Sequence, residues 1–223
     1  VFTELNLISN GYDKNIKLAS EKGKILFLSS TFLYRKEMEY IKKEIDKRNF
    51  VGNYRYHVGQ YLPEWHPWDN YKNYFVGDKK TNGCREIFAI ELPWLIDIFG
   101  DIISLKVIHN KVSNLDIDYD DTYQVIVKHV SGVVGSLSVD IVTPKTGRDL
   151  EIWEENFYIG WKGTPDTLEQ YCQKTRKIDK ISLYESVEHM EGYNRFVVEN
   201  AYYSNSLIFI FCDFLGFNFS FLV

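Results

Sequence analysis

The stretch VGQYLPEWHPWDNYKNYFVGDKKTNGCREIFAIELPWLIDIFG, residues 58–100, decides how this chain is read. It joins a strand end, an aromatic loop and a carboxylate-bearing helix. The loop YLPEWHPWDNY (61–71) sets Trp65, Trp68, Tyr61, Tyr71 and His66 beside Glu64 and Asp69. Pro63 and Pro67 fix local φ and remove donors, which gives the loop a defined shape. Two readings stay open, a structured ligand wall or an aromatic plug over a core. The helix is expected from about Arg85 to Ile98, with Ile87, Ile90, Trp94, Leu95 and Ile98 as its apolar stripe and Gly100 as its stop. Pro93 should kink it or mark a restart.

Upstream, NYRYHVGQYL alternates with period two and reads as a long strand. Before it, NGYDKNIKLASE (10–21) suits a helix capped near Asn10 or Asp13, with Ile16, Leu18 and Ala19 inward and Gly23 as its end. KILFLSS (24–30) reads as a buried parallel strand. A charged helix follows from about Leu33 to Arg48, capped by Ser30 or Thr31, with Met38, Ile41 and Ile45 on one side. This order is that of one end of an open α/β sheet. No GxGxxG follows an early strand, so the first turn of a dinucleotide-binding half is not found in these residues.

Downstream come ISLKVIHNKVS, TYQVIVKHV, GVVGSLSVDIV, DLEIWEE and NFYIGWK. They are separated by short polar joints, the pattern of a mostly antiparallel meander. Helices are expected again at about 164–175 and 194–211, the second carrying Phe196, Val197, Tyr203, Leu207 and Phe211. The tail GFNFSFLV has no amphipathic plan.

Composition narrows the class. At 223 residues the chain can bury a sizeable core. The 16 Tyr, 15 Phe and 5 Trp favour a broad sheet with a buried face. A net charge of −5 with no basic cluster argues against nucleic acid. Cys84, Cys172 and Cys212 form neither a disulfide framework nor a zinc pattern, and read as reduced thiols of a cytoplasmic protein. VFTELNLISN lacks the features of a signal peptide, and no membrane association is expected.

His66 at a strand end could donate to a sugar hydroxyl or phosphate, with Trp65 or Trp68 stacking on an apolar ring face. Glu86 sits in the first turn of the helix, where the dipole alone accounts for it. No titratable group stands four residues after it, so general-base chemistry there has no agent. The acidic run LDIDYDD (115–121) fails the spacing of a calcium loop. The histidines at 57, 109, 129 and 189 lack metal-ligand spacing. Ser136 and Ser138 lack a nucleophile-elbow context.

On GQYLPEWHPWDNYKNYF, the helix ending IFG, LDIDYDDTYQVIVKH and the strand pair leading to Arg148, the chain resembles the NAD(P)-dependent oxidoreductases of the Gfo/Idh/MocA type. These are the glucose-fructose oxidoreductase and inositol dehydrogenase relatives, especially the sugar-modifying members. The resemblance implies an α+β fold, a large mostly antiparallel open sheet with helices on one face, preceded by a remnant of a Rossmann-type α/β unit. It places residues 1–50 in the residual Rossmann end and 51–223 in a C-terminal substrate-binding and oligomerisation domain.

By the same resemblance, VFTELNL matches a strand end close to V-x-E-K-P-x. Glu4 is retained there, while Leu5 stands for the catalytic lysine and Asn6 for the proline. The Asp and His of the second chemical motif fall on Glu86 and Ile90. The chain should therefore lack a catalytic set and bind no cofactor by itself, where complete members use NAD or NADP. A remaining pocket would use Gln60, Trp65, His66, Trp68 and Tyr71, with Arg85 and Arg148 for anionic groups, and no metal. The function implied is a sugar- or sugar-nucleotide-binding, dimerising domain that is inactive as this chain, associating through its sheet face. Two alternatives stay open: a working dehydrogenase whose cofactor domain lies outside the sequence, and a structural or interaction module.

Overall fold

The alternation in NYRYHVG becomes the central strand of the molecule. The computed structural model describes residues 2, 3, 7, 10–28 and 30–184. In chain order it has β1 (Phe2–Thr3), α1 (Tyr12–Glu21), β2 (Phe27–Leu28), a 3-10 turn (Thr31–Tyr34), α2 (Lys36–Asp46), β3 (Asn53–Gly59), α3 (Leu62–Trp65) and α4 (Gly83–Phe99). There follow β4 (Ile102–Asn110), β5 (Thr122–His129), β6 (Val134–Asp140), β7 (Gly147–Glu154), β8 (Phe157–Trp161), β9 (Glu169–Cys172) and β10 (Lys177–Lys180).

β1 and β2 pair in parallel across the α1 connection, the expected α/β unit. α1 starts after Gly11 in a left-handed conformation, φ 86°, and neither Asn10 nor Asp13 caps it. None of its residues is buried, and Ile16 and Leu18 are 42% and 49% exposed, where the sequence pointed them inward. Three clustered apolar positions make a stripe too short to compel burial.

β3 to β10 form one open sheet in the order β10-β9-β8-β7-β3-β6-β5-β4. Every pairing is antiparallel except β3 with β6. Alternation sends Tyr54, Tyr56 and Val58 of β3, Leu137 and Val139 of β6, and Leu150 and Ile152 of β7 to one buried face. α4 lies on that face. Phe99 stacks on Tyr54 at 4.6 Å and Trp94 meets Tyr56 edge-on at 5.2 Å. Met38, Ile41 and Ile45 of α2 enter the same core, beside Phe32 of the 3-10 turn. Each such side chain contributes about 1.5–3 kcal/mol on burial. The opposite face carries Arg55, His57 and Gln124 and the exposed apolar residues Ile108, Ile126, Val134 and Trp153.

Three local expectations change. α4 continues through Pro93 without a restart, held on both sides of it by the buried Ile87, Glu91, Trp94 and Leu95. The charged helix begins at Lys36, and neither Ser30 nor Arg35 caps its turn or helix by a side-chain bond. Residues 164–175 form no helix. Leu168 is buried, β9 pairs with β8, and the turn into β10 closes with Arg176 N–H donating to the Cys172 carbonyl at 2.8 Å. Two apolar side chains, Leu168 and Tyr171, are too few to make a helical face, and strand partners win. The segment 194–211, the tail, His189 and Cys212 lie outside the described residues, as do Glu4, Leu5 and Asn6.

Candidate functional site

The loop leaves the sheet under tight control. Gln60 N–H donates to the Asp140 carbonyl at 3.1 Å and Leu62 N–H to the Ile141 carbonyl at 3.0 Å, so the chain follows β6 beyond the end of β3. Leu62 is fully buried and anchors the one-turn α3. Trp65 packs so closely on the start of α4 that a Cβ at Gly83 would lie 3.0 Å from its ring. The chain then turns, with Asp69 N–H donating to the His66 carbonyl at 3.1 Å and Asn70 Oδ1 capping the Lys72 N–H at 3.0 Å.

Three rings of this loop gather. His66 lies 4.9 Å from Trp68 and 4.9 Å from Tyr74. Trp68 is 79% exposed, an unusual position for an indole with no partner to cover it. His66 Nδ1 and Tyr74 Oη are enclosed, yet neither makes a hydrogen bond. An enclosed polar atom left so costs about 1–3 kcal/mol. Burial raises the Tyr74 pKa, and the charges of Asp69 and Glu86 raise it further. Tyr71 accepts the Asp116 N–H at 3.2 Å, and Lys72 pairs with Asp116, tying the loop to the connection before β5.

At the start of α4, Asn82 caps the helix by accepting the Arg85 N–H at 2.8 Å. The Arg85 guanidinium is turned back onto the Lys80 carbonyl at 2.8 Å. Glu86 is partly buried on the same turn as Arg85, and Ile90 stands half-buried one turn further on.

Arg148 is elsewhere. On β7 opposite Val58, it bonds Glu91 Oε1 through Nε at 2.9 Å and Nη2 at 2.8 Å, and its guanidinium lies 4.5 Å over the Phe32 ring. Glu91 is fully buried and also accepts from Tyr56 Oη at 2.6 Å and Trp94 Nε1 at 2.8 Å. Burial, with the Glu91 charge, pushes the Tyr56 pKa well up. Arg35 repeats the motif nearby, paired with buried Glu37 at 2.5 Å and stacked on Trp161 at 4.9 Å. The structure thus brings His66 and Trp68 together, packs Trp65 on the start of α4, turns Tyr71 to Asp116, sets Arg85 on the following helix and commits Arg148 to a buried carboxylate.

Sequence reasoning passed over Tyr74 and the partners of Glu91. Glu91 stands four residues after Ile87 and four before Leu95, on the buried stripe, and a carboxylate there requires a cationic partner. Tyr74 had no comparable signal. It also passed over His57, whose Nε2 meets Asp140 Oδ2 at 2.8 Å on the open face. Asp140 in turn accepts the N–H groups of Val142 and Thr143 at 3.0 and 2.8 Å. Among the described residues no cluster of three or more His, Cys, Asp or Glu could hold a metal ion, and no helix is long and apolar enough to cross a membrane.

This sheet, with its helices on one face, is the fold found in part of the NAD-dependent oxidoreductases. Three solved structures illustrate the likeness. The WlbA dehydrogenase from Chromobacterium violaceum, in complex with NADH and UDP-GlcNAcA, matches with a TM-score of 0.64 and 19% identity over 92% of this chain and 59% of its own. An oxidoreductase from Agrobacterium radiobacter, in complex with NAD+, L-tartaric acid and magnesium, matches with a TM-score of 0.66 and 12% identity over 90% and 59%. The UDP-N-acetylglucosamine 3-dehydrogenase GnnA from Acidithiobacillus ferrooxidans matches with a TM-score of 0.59 and 13% identity over 83% and 55%. The chain therefore spans less than two thirds of these proteins. No protein-family model and no curated protein matches the sequence.

Proposed function

We propose that this chain is the substrate-binding and dimerising C-terminal domain of a Gfo/Idh/MocA-like oxidoreductase, holding a sugar or sugar nucleotide that it does not itself transform. The carrying observation is the ring cluster of His66, Trp68 and Tyr74, seated after β3 and against the first turn of α4 on a fold shared with sugar-nucleotide dehydrogenases. An exposed indole beside polar atoms with no partner suits a ligand with an apolar ring face and hydroxyls. Gln60, Trp65 and Tyr71 complete the wall, with Arg85 nearest for a phosphate if its side chain leaves Lys80. Inactivity rests on Leu5 and Ile90, which supply neither the donor nor the acid or base that hydride transfer to a carbonyl requires. The open face of the sheet, with Ile108, Ile126, Val134 and Trp153 exposed, is the proposed dimer surface.

Titration calorimetry tests the reading. UDP-N-acetylglucosamine is expected to bind, NADH to give no heat, and the mixture with NAD+ to produce no NADH absorbance. Tight NADH binding or turnover by this chain would overturn the proposal, and hydride transfer by a longer chain carrying the upstream sequence would favour the second reading, a working dehydrogenase with its cofactor domain beyond this sequence.

A further inference from the structure

We infer that His66 Nδ1 and Tyr74 Oη form a hydroxyl-reading pair beneath Trp68, taking a neutral ring hydroxyl of the ligand rather than its phosphate when the indole swings aside. The inference rests on the sugar-site reading above and assigns a role within it. Both atoms are enclosed and make no hydrogen bond, although their rings lie 4.9 Å apart. With its proton on Nε2 a neutral imidazole accepts at Nδ1, and a phenol donates, together the complement of one hydroxyl, which both donates and accepts.

The local field sets the charge of the guest. The carboxylates of Asp69 and Glu86 lie near enough to act on the Tyr74 hydroxyl, which disfavours an anionic guest beside it. Asp69 is fixed there, accepting the Asn73 side-chain amide at 2.9 Å and the Asn70 N–H at 2.7 Å. The cover is Trp68. Its ring touches His66 at 4.9 Å and is otherwise 79% exposed, so little packing opposes its rotation. Once rotated, it offers an apolar face on which a pyranose can stack.

The test uses the full chain and three titrations, with UDP-N-acetylglucosamine, with UDP and with methyl N-acetyl-β-glucosaminide. Tyr74→Phe removes only the hydroxyl. It is expected to weaken UDP-N-acetylglucosamine and the glucosaminide about tenfold, as for one lost hydrogen bond, and to leave UDP within about twofold. Its thermal midpoint should equal or exceed that of wild type, because an enclosed hydroxyl without a partner is removed. Trp68 emission should shift on adding the glucosaminide, and the shift should vanish in Trp68→Phe. Unchanged sugar affinity in Tyr74→Phe, or equal weakening of UDP, overturns the pair while leaving the sugar site standing. A lowered midpoint with unchanged affinity assigns Tyr74 to packing and overturns it too. If wild type binds neither sugar probe, the sugar-site reading and this inference fall together.

Discussion

Replacing Arg148 by Met should be among the most damaging single changes in the sheet, because it strands a charge. Glu91 is fully buried, and Arg148 approaches it through two nitrogens at 2.8 and 2.9 Å. Losing one partner of a buried pair costs about 3–5 kcal/mol, since the survivor keeps its desolvation penalty. The Arg148 side chain is 27% exposed and Tyr56 and Trp94 still donate to Glu91, so the lower end, about 3 kcal/mol, applies. With a urea slope of about 2.5 kcal/mol per molar, the midpoint should fall by about 1.2 M. Glu91→Gln keeps an acceptor for Tyr56 and Trp94 and leaves Arg148 partly in water, so it should cost less. The double variant Glu91→Gln, Arg148→Met removes both charges and should recover about 2 kcal/mol relative to Arg148→Met alone. Additive effects in that cycle, or an Arg148→Met midpoint within about 0.4 M of wild type, would refute the account of Glu91 as a paired, desolvated charge.

Three further outcomes are expected. Hydrogen bonding to Asp140 holds the His57 pKa above its usual value despite partial burial. Burial of Asp140 acts the other way on that carboxyl, but bonds from His57, Thr143 and Val142 outweigh it and hold its pKa low. The His57 contribution is therefore full below about pH 6.5 and lost as pH rises through the raised folded value, so the stability gap between wild type and His57→Gln should shrink from pH 6 to pH 8.5. A constant gap in urea titrations speaks against it. Gly135→Ala would place a Cβ 2.0 Å from Tyr54 Cζ, in a ring that stacks on Phe99 and bonds His129 at 3.1 Å. It should cost about 1–3 kcal/mol or more, and an unshifted thermal melt would contradict the packing described. Ile126→Glu on the open face should convert the proposed dimer to monomer in light scattering without lowering the melting temperature of the monomer, and an unaltered dimer mass would move the interface elsewhere.

The sheet was legible because its signal is collective. β3, β5 and β6 each repeat an apolar residue every second position, and the buried faces follow from that period alone. α4 was legible for the same reason at period 3.6, and of the two outcomes open at Pro93 the restart does not occur, because buried contacts on both sides hold one helix. The hairpin β9–β10 was hidden by the weakness of its own pattern, one buried Leu168 against many polar residues. Site chemistry is carried by single atoms, and the sequence shows residue types without their directions. Arg148 looked available for an anion, yet its register opposite Val58 puts it beside Glu91. Tyr74 carries no pattern of its own, and its significance lies in an enclosed hydroxyl that no spacing rule reveals.

That difference also explains how so remote a chain keeps this fold. At 19% identity or less to the three structures described, few side chains coincide, but period, strand order and close contacts such as Gly135 under Tyr54 constrain residue size more than identity. In the function proposed above catalysis has no such freedom, since leucine at position 5, where the resemblance places a lysine, keeps the volume and loses the donor. On that reading a sequence can drift out of a reaction while the sheet, the helix on its face and the loop between them persist. The enclosed polar atoms of His66 and Tyr74 argue against pure drift in the loop. An aromatic plug with no ligand would gain stability from Phe at position 74, so a hydroxyl held there without a partner points to a use.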